Sequence, residues 1–412
     1  MTAAESGSGR FFAIDGRIWA KVTALGMNEA VAYLILACGT GPGNKATSWS
    51  TNAVMKYAGI GWARAKLAIV SLEASCFVRH AECYTEAHPR YELATCRELE
   101  DHQAAKNPPP APDYLEQEIL SGVRAGKQPR NKTDRNRAER LLLRGMLCRD
   151  ARGIYKLPEP AKEDSGDNFI WLPNEIVMGT SSGEESPLRR LRGAGCTWTL
   201  RLFVDLYSAQ NLRDDGGISP LLIRQEFDRQ KIGEQGAYVI WGFKSVKSFL
   251  WWTGIFAAHQ SRTRAEPENQ SPVWQSLQLL QNMGLLSFVP HIFENNSDAA
   301  EPVHPYGIGQ TGEPPIEQEI GHAADRAART MALPSKLEEA EEAGFEHFCP
   351  ILKTMPTAQM IGVARLTYRP RTQRTQGWFR DLNQNAPDWI ETFARLTAKG
   401  EKASYQRAAN YA

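Results

Sequence analysis

The chain has 412 residues, 42% hydrophobic and 23% charged, with 48 basic against 47 acidic side chains. That length suits two or three domains with their own cores, and the near-neutral balance excludes a polycation that binds partners by net charge alone. No apolar run reaches the roughly 18 residues of a membrane span, "MTAAESGSGRFF" is unlike a secretory leader, and seven scattered cysteines make no disulfide framework. The expectation is a cytoplasmic protein with free thiols and no membrane attachment.

In chain order, "NEAVAYLILACG" (Asn28–Gly39) reads as a buried helix, although an apolar run of this length also suits a strand. "LACGTGPGNKAT" follows, with the glycines and lysine of a phosphate-binding loop. Such a loop needs a glycine before its lysine and a hydroxyl after it. Asn44 and Ala46 stand there instead, so a connecting loop is expected and nucleotide binding is not. "SWSTNAVMKYAG" offers Ser50 or Thr51 as a helix start, with Ala53, Val54 and Tyr57 on one face and Gly59 as the stop. "IGWARAKLAIVSLEAS" begins a second helix with Ile60, Ala65, Ala68, Ile69 and Leu72 facing a core. "CFVRHAE" and "RYELATC" then alternate like a hairpin.

The order helix, loop, short helix, glycine turn, longer helix, hairpin resembles the winged helix-turn-helix superfamily. That resemblance places a domain over residues 12–104 and implies that the second helix of the pair enters the major groove of DNA. The contacts it implies are Trp62, Arg64 and Lys66 on that helix, Lys45, Ser50 and Thr51 at its approach, and Arg79 and Arg90 on the wing. Leu67 and Val70 also face outward, as they would on a helix that docks against protein.

Residues 105–165 read as a proline-rich linker (Pro108–Pro110), a basic helix and a hairpin. Between Arg124 and Lys156 stand eleven basic against three acidic residues. In this stretch Arg130, Lys132, Arg135, Arg137, Arg140 and Arg152 are candidate phosphate contacts. Residues 166–298 read as a second winged-helix-like unit: "TWTLRLFVDLYSAQNL" as an amphipathic helix, "PLLIRQEF" as a short helix, and "SPVWQSLQLLQNMGLLSFVPHIFEN" as helix, Gly284 and strands. The aromatic run Trp241–Trp252 is an insertion or packing surface. Residues 299–322 form a linker, and 323–412 a helical region that includes "GFEHFCPIL" and "TAQMIGVARLTY". Nine acidic residues against three basic ones lie between Glu313 and Glu346, followed by six basic and no acidic ones from His347 to Arg380. Arg369, Arg371 and Arg374 lie beside Trp378 and Phe379 there. They suit a nucleic acid strand, or equally the acidic block just upstream.

The expected fold is therefore mainly α with small β-hairpins, as tandem winged-helix units plus a helical C-terminal region. That arrangement resembles plasmid replication initiators. The implied function is non-catalytic binding of double-stranded DNA, as an initiator or as a transcriptional regulator of a mobile element. The competing reading is a protein-docking subunit of a multi-protein nucleic-acid or defence complex, using Leu67, Val70 and the Trp241–Trp252 run. Cys76, His80, Cys83, His88, Cys96 and His102 crowd together without zinc-ligand spacing, and no nucleophile or paired-carboxylate motif occurs, so no metal, cofactor or enzymatic activity is expected.

Overall fold

The structure, a computed structural model, describes residues 11–106, 112–129, 131–143, 146–149, 153–157, 168–180, 183–211, 216–251, 272–297, 300–308, 315–369 and 373–411. The first elements are β1 (Phe11–Asp15), α1 (Gly16–Val22) and α2 (Met27–Cys38). Asp15 caps α1 by accepting from the Arg17 N–H. Every residue of α2 from Ala30 to Cys38 is buried. With no polar stripe to offer water, this helix becomes the axis of the N-terminal core. The glycine-rich run is a connection: a 3-10 turn at Gly41–Gly43, then Asn44 in the left-handed region at φ 48°, leading into β2 (Ala46–Thr47). Asn44 Oδ1 accepts from the Ala13 N–H at 3.1 Å, which ties the loop to β1.

Next come α3 (Thr51–Ala58), α4 (Trp62–Ala74), β3 (Val78–His80), β4 (Tyr91–Leu93) and α5 (Cys96–Lys106). Gly59 ends α3 at φ 66°, a left-handed turn that glycine adopts without penalty. Ile60 fills the corner behind it, and α4 buries Ala65, Ala68, Ile69 and Leu72 against α2. The three short strands form one antiparallel sheet in the order β2-β4-β3.

Two helices, α6 (Tyr114–Arg124) and α7 (Lys132–Leu143), lead to a small hairpin, β5 (Cys148–Arg149) and β6 (Tyr155–Lys156). They have their own core of Val123, Ala138, Leu141, Leu147 and Tyr155. Asp113 and Glu116 make a reciprocal capping box that starts α6.

The chain then returns. β7 (Phe169–Pro173) pairs antiparallel with β1, from Phe11 opposite Pro173 to Asp15 opposite Phe169. After it, α8 (Glu175–Met178), α9 (Pro187–Ala194) and α10 (Thr197–Ser208) bury Val177, Leu188, Leu191, Phe203 and Leu206 in the cluster built on α2. A short pair, β8 (Gln210–Asn211) and β9 (Gly217–Ile218), leads to β10 (Ile223–Gln235) and β11 (Tyr238–Trp251), a long hairpin turned at Gly236. The rest is α11 (Pro272–Asn282), β12 (Leu286–Phe293), β13 (Pro302–Pro305), α12 (Pro315–Met331), α13 (Pro334–Glu342), β14 (His347–Leu352), β15 (Gln359–Leu366) and α14 (Gln373–Tyr411).

The expected fold class does not hold. About half of the described residues are helix but 23% are strand, and the second half is organised around a six-stranded antiparallel sheet in the order β13-β12-β15-β10-β11-β14. Residues 166–298 are not a second winged-helix unit. Their strands pair outward, β7 with β1 and β10 and β12 with β15. "PLLIRQEF", expected as a helix, turns at Pro220–Leu222 and enters β10. The aromatic run is β11, bonded to β10 on one side and β14 on the other. The C-terminal region is not all helical, because "EHFCPIL" supplies β14 and "QMIGVARL" supplies β15. The physical reason is burial on both faces. β15 is buried from Met360 to Leu366, so the apolar-polar alternation that marks a half-exposed strand is missing. α12 and α14 cover this sheet over a second core that includes Phe243, Tyr306, Ala324, Phe348 and Phe393. Among the described residues no helix is long and apolar enough to cross a membrane.

Candidate nucleic-acid interface

The outward side of α4 follows from the spacing of its inward side. With Ala65, Ala68, Ile69 and Leu72 in the core, Ala63, Arg64, Lys66, Leu67 and Val70 face solvent, along with Trp62 at the first position. Leu67 is 66% exposed, Trp62 52% and Val70 46%, a substantial apolar surface for one helix. The Lys66 ammonium lies 4.9 Å from the centre of the Trp62 ring, a cation–π contact that orients both. No carboxylate pairs with Arg64 or Lys66 among the described residues.

The turn before α4 is buttressed from behind. Arg192 of α9 donates from Nε to the Ala58 carbonyl at 2.6 Å, satisfying an end carbonyl of α3. Arg189 lies so close to Gly59 that a Cβ there would meet its Nε at 2.4 Å. Neither arginine was singled out by sequence, since nothing local links residue 59 with residues 189 and 192.

The other expected contacts divide. Lys45 and Arg79 are brought together, but by carboxylates: Lys45 Nζ is 3.7 Å from Glu98, and Arg79 is 3.0 Å from Glu98 and 2.8 Å from Glu92. Burial raises the Glu98 carboxyl. The Thr95 N–H and hydroxyl, Arg79 and Lys45 outweigh it and hold the group below its ordinary range. Ser50 is the N-cap residue of α3 but makes no side-chain capping bond, and Thr51 is its half-buried first residue. Arg90 donates to Cys83 Sγ at 3.4 Å. His80 stacks on Tyr84 at 3.6 Å and reaches Glu73 at 2.7 Å, so the Cys/His-rich hairpin spends its groups locally.

On α7, Lys132 and Arg135 are exposed, while Arg137 lies 3.5 Å from Asp134 and Arg140 3.7 Å from Glu116. Arg369 sits over Trp378 and Phe379, at 5.3 and 5.4 Å, so its guanidinium is spent on aromatic faces of α14. Arg130, Arg152 and Arg371 lie outside the described residues, as does the side chain of Arg374. Trp241 packs at the second core under the Arg229 guanidinium, 4.5 Å away, rather than beside Leu67 and Val70; Trp252 lies outside the described residues.

No family model, no curated protein and no solved structure matches this chain.

Proposed function

We propose that the N-terminal unit is a winged helix-turn-helix that binds duplex DNA without catalysis, with α4 as the groove helix and β3–β4 as the wing. The observation that carries this reading is the exposed pair Arg64 and Lys66 at the start of α4, which have no carboxylate partner among the described residues, while Lys45 and Arg79 are paired with Glu98 and Glu92. The element order α2, β2, α3, α4, β3, β4 and the sheet order β2-β4-β3 support it. In such a unit the first turns of the second helix reach base edges. An arginine there serves guanine O6 and N7, and apolar side chains such as Leu67 meet thymine methyls. One such unit supports duplex binding. The initiator reading rested on two units in tandem and is not carried further.

The test is fluorescence anisotropy of a labelled duplex at about 50 and 200 mM salt, where phosphate-dominated binding weakens steeply. The Arg64→Ala/Lys66→Ala protein should bind about tenfold or more weakly, the scale of one lost base or phosphate contact pair. Absence of duplex binding by the wild type at the lower salt would sink the proposal. A second reading is favoured by one observation, the exposure of Trp62, Leu67 and Val70 on a single helix: the same face docks a protein. Salt separates the two. A DNA complex should weaken steeply between about 50 and 200 mM salt, whereas a protein complex on this apolar face should change little.

A further inference from the structure

We infer that the cleft between α14 and the β13–β12–β15 edge of the large sheet binds a small organic ammonium ion, whose N–H groups bridge His291 Nε2 and Glu317 Oε1. This inference stands apart from the DNA-binding proposal, since no residue is shared. The cleft encloses about 420 Å³, within the size range of small-molecule sites.

The argument begins with a tautomer. His291 Nδ1 lies 2.9 Å from the Val289 carbonyl oxygen. A carbonyl oxygen only accepts, so Nδ1 carries the ring proton and Nε2 is left as a bare acceptor. That Nε2 faces Glu317 Oε1 at 3.7 Å. Glu317 is held as a carboxylate by both terminal nitrogens of Arg365, so Oε1 is also an acceptor. Two buried acceptors therefore confront each other with no proton between them. Burial lowers the imidazole's basicity and outweighs the Glu317 charge, so His291 does not supply that proton. A group with several donors and no acceptor, an alkylammonium, satisfies both atoms at once.

The rest of the cleft agrees in shape. His304 Nδ1 lies 2.9 Å from the Pro305 oxygen, so its Nε2 is likewise an acceptor, met by the Cys349 thiol at 3.9 Å. The lining holds two carboxylates, Glu317 and the exposed Asp381, each with an arginine behind it: Arg365 on Glu317, and Arg380 3.6 Å from Asp381. Selection therefore rests on hydrogen bonding: a carboxylate ligand only accepts and cannot satisfy the two facing acceptors. On α14, Trp378, Asp381, Leu382, Asn385 and Trp389 recur at helical spacing and give one wall. The Trp378 ring is already occupied by Arg365 at 4.9 Å, which leaves Trp389, with Val303 opposite, to hold an apolar body. His291, His304 and Glu317 do not converge as a metal-ligand set.

The experiment is calorimetric titration of the full chain with phenethylamine, its neutral isostere 2-phenylethanol, and 3-phenylpropionate. Saturable binding of the amine, at least tenfold weaker binding of the alcohol and none of the acid is the expected pattern. Asp381→Asn should weaken the amine several-fold, and Val303→Trp, which fills the cleft, should abolish its binding while thermal unfolding reports an intact fold. Nitrogen NMR should show His291 as the neutral Nδ1–H tautomer at pH 7, with Nε2 shifting when the amine is added. Equal binding of amine and alcohol, no saturable amine binding, amine binding indifferent to both substitutions, or an imidazolium at His291 in the free protein would each overturn the inference.

Discussion

Arg365 grips Glu317 with both terminal guanidinium nitrogens between β15 and α12, where their side chains are only 5% and 4% exposed. The pair joins the basic block of the chain to the acidic block before it. Removing one partner strands the other charge in the interior, at a cost of about 3–5 kcal/mol. Arg365→Met should therefore destabilise the protein by that amount in urea unfolding. The double change Arg365→Met/Glu317→Leu should recover most of it, because neither charge is then left buried alone.

Acid should unfold the C-terminal half earlier than a surface-charged protein. Burial pushes His304 down to about 4 from an ordinary 6.5, the Pro305 carbonyl bond opposing only in part. As pH falls the unfolded chain takes up that proton first. The stabilisation is therefore whole above about 6.5 and is lost as pH descends through about 4, on the order of 3 kcal/mol in all. Glu317, held below the ordinary carboxylate range despite its burial, adds a further loss at the acid end of the same descent. Urea midpoints measured from pH 7 to 4 should fall in the wild type and fall less in His304→Phe.

Gly321 is where α12 crosses the chain after β13. A Cβ there would lie 1.5 Å from the Tyr306 carbonyl oxygen, which is backbone and cannot swing aside. Gly321→Ala should cost about 3 kcal/mol or more, at the upper end of overpacking penalties, or leave the protein insoluble. Thermal unfolding of the purified variant checks it. A change of under about 1 kcal/mol would show that α12 sits further from the sheet.

Glu98 pairs with Lys45 and shares Arg79 with Glu92. Glu98→Gln should release Lys45, while Glu92 keeps Arg79. On the DNA-binding proposal, low-salt affinity should rise a few-fold and the salt dependence steepen by up to about one phosphate contact. Anisotropy titrations over a salt series measure both. Unchanged affinity and slope would place Lys45 away from the nucleic acid.

What was legible in the sequence was local. Gly59, Ile60 and the four core residues of α4 lie within fourteen positions of one another, and short-range spacing is what a chain displays openly. β10 and β15 were misread because their pairing partners lie far along the chain: Arg224 sits opposite Val363. In β15, burial on both faces also removes the period-two pattern that marks a strand, while β10 carries a charged, partly exposed sequence. The same distance concealed Glu317 and Arg365, 48 positions apart. The two charge blocks were visible as suited to each other, yet composition does not say which arginine meets which glutamate. His291 and His304 carried no motif, and their importance arises only from where the sheet edge sets them.

The pairing of β1 with β7 bears on how the chain is made. Phe12 and Ile14 share a core with Leu172, Val204 and Leu206, and with residues as late as Leu366, so this core cannot be completed until most of the polypeptide has left the ribosome. The α6–β6 hairpin module, with its private core, emerges during that wait and can fold first. It is an insertion in an unfinished domain, and excising it with a short bridge from α5 to β7 should leave the N-terminal core intact. Cutting the chain after α5 should not.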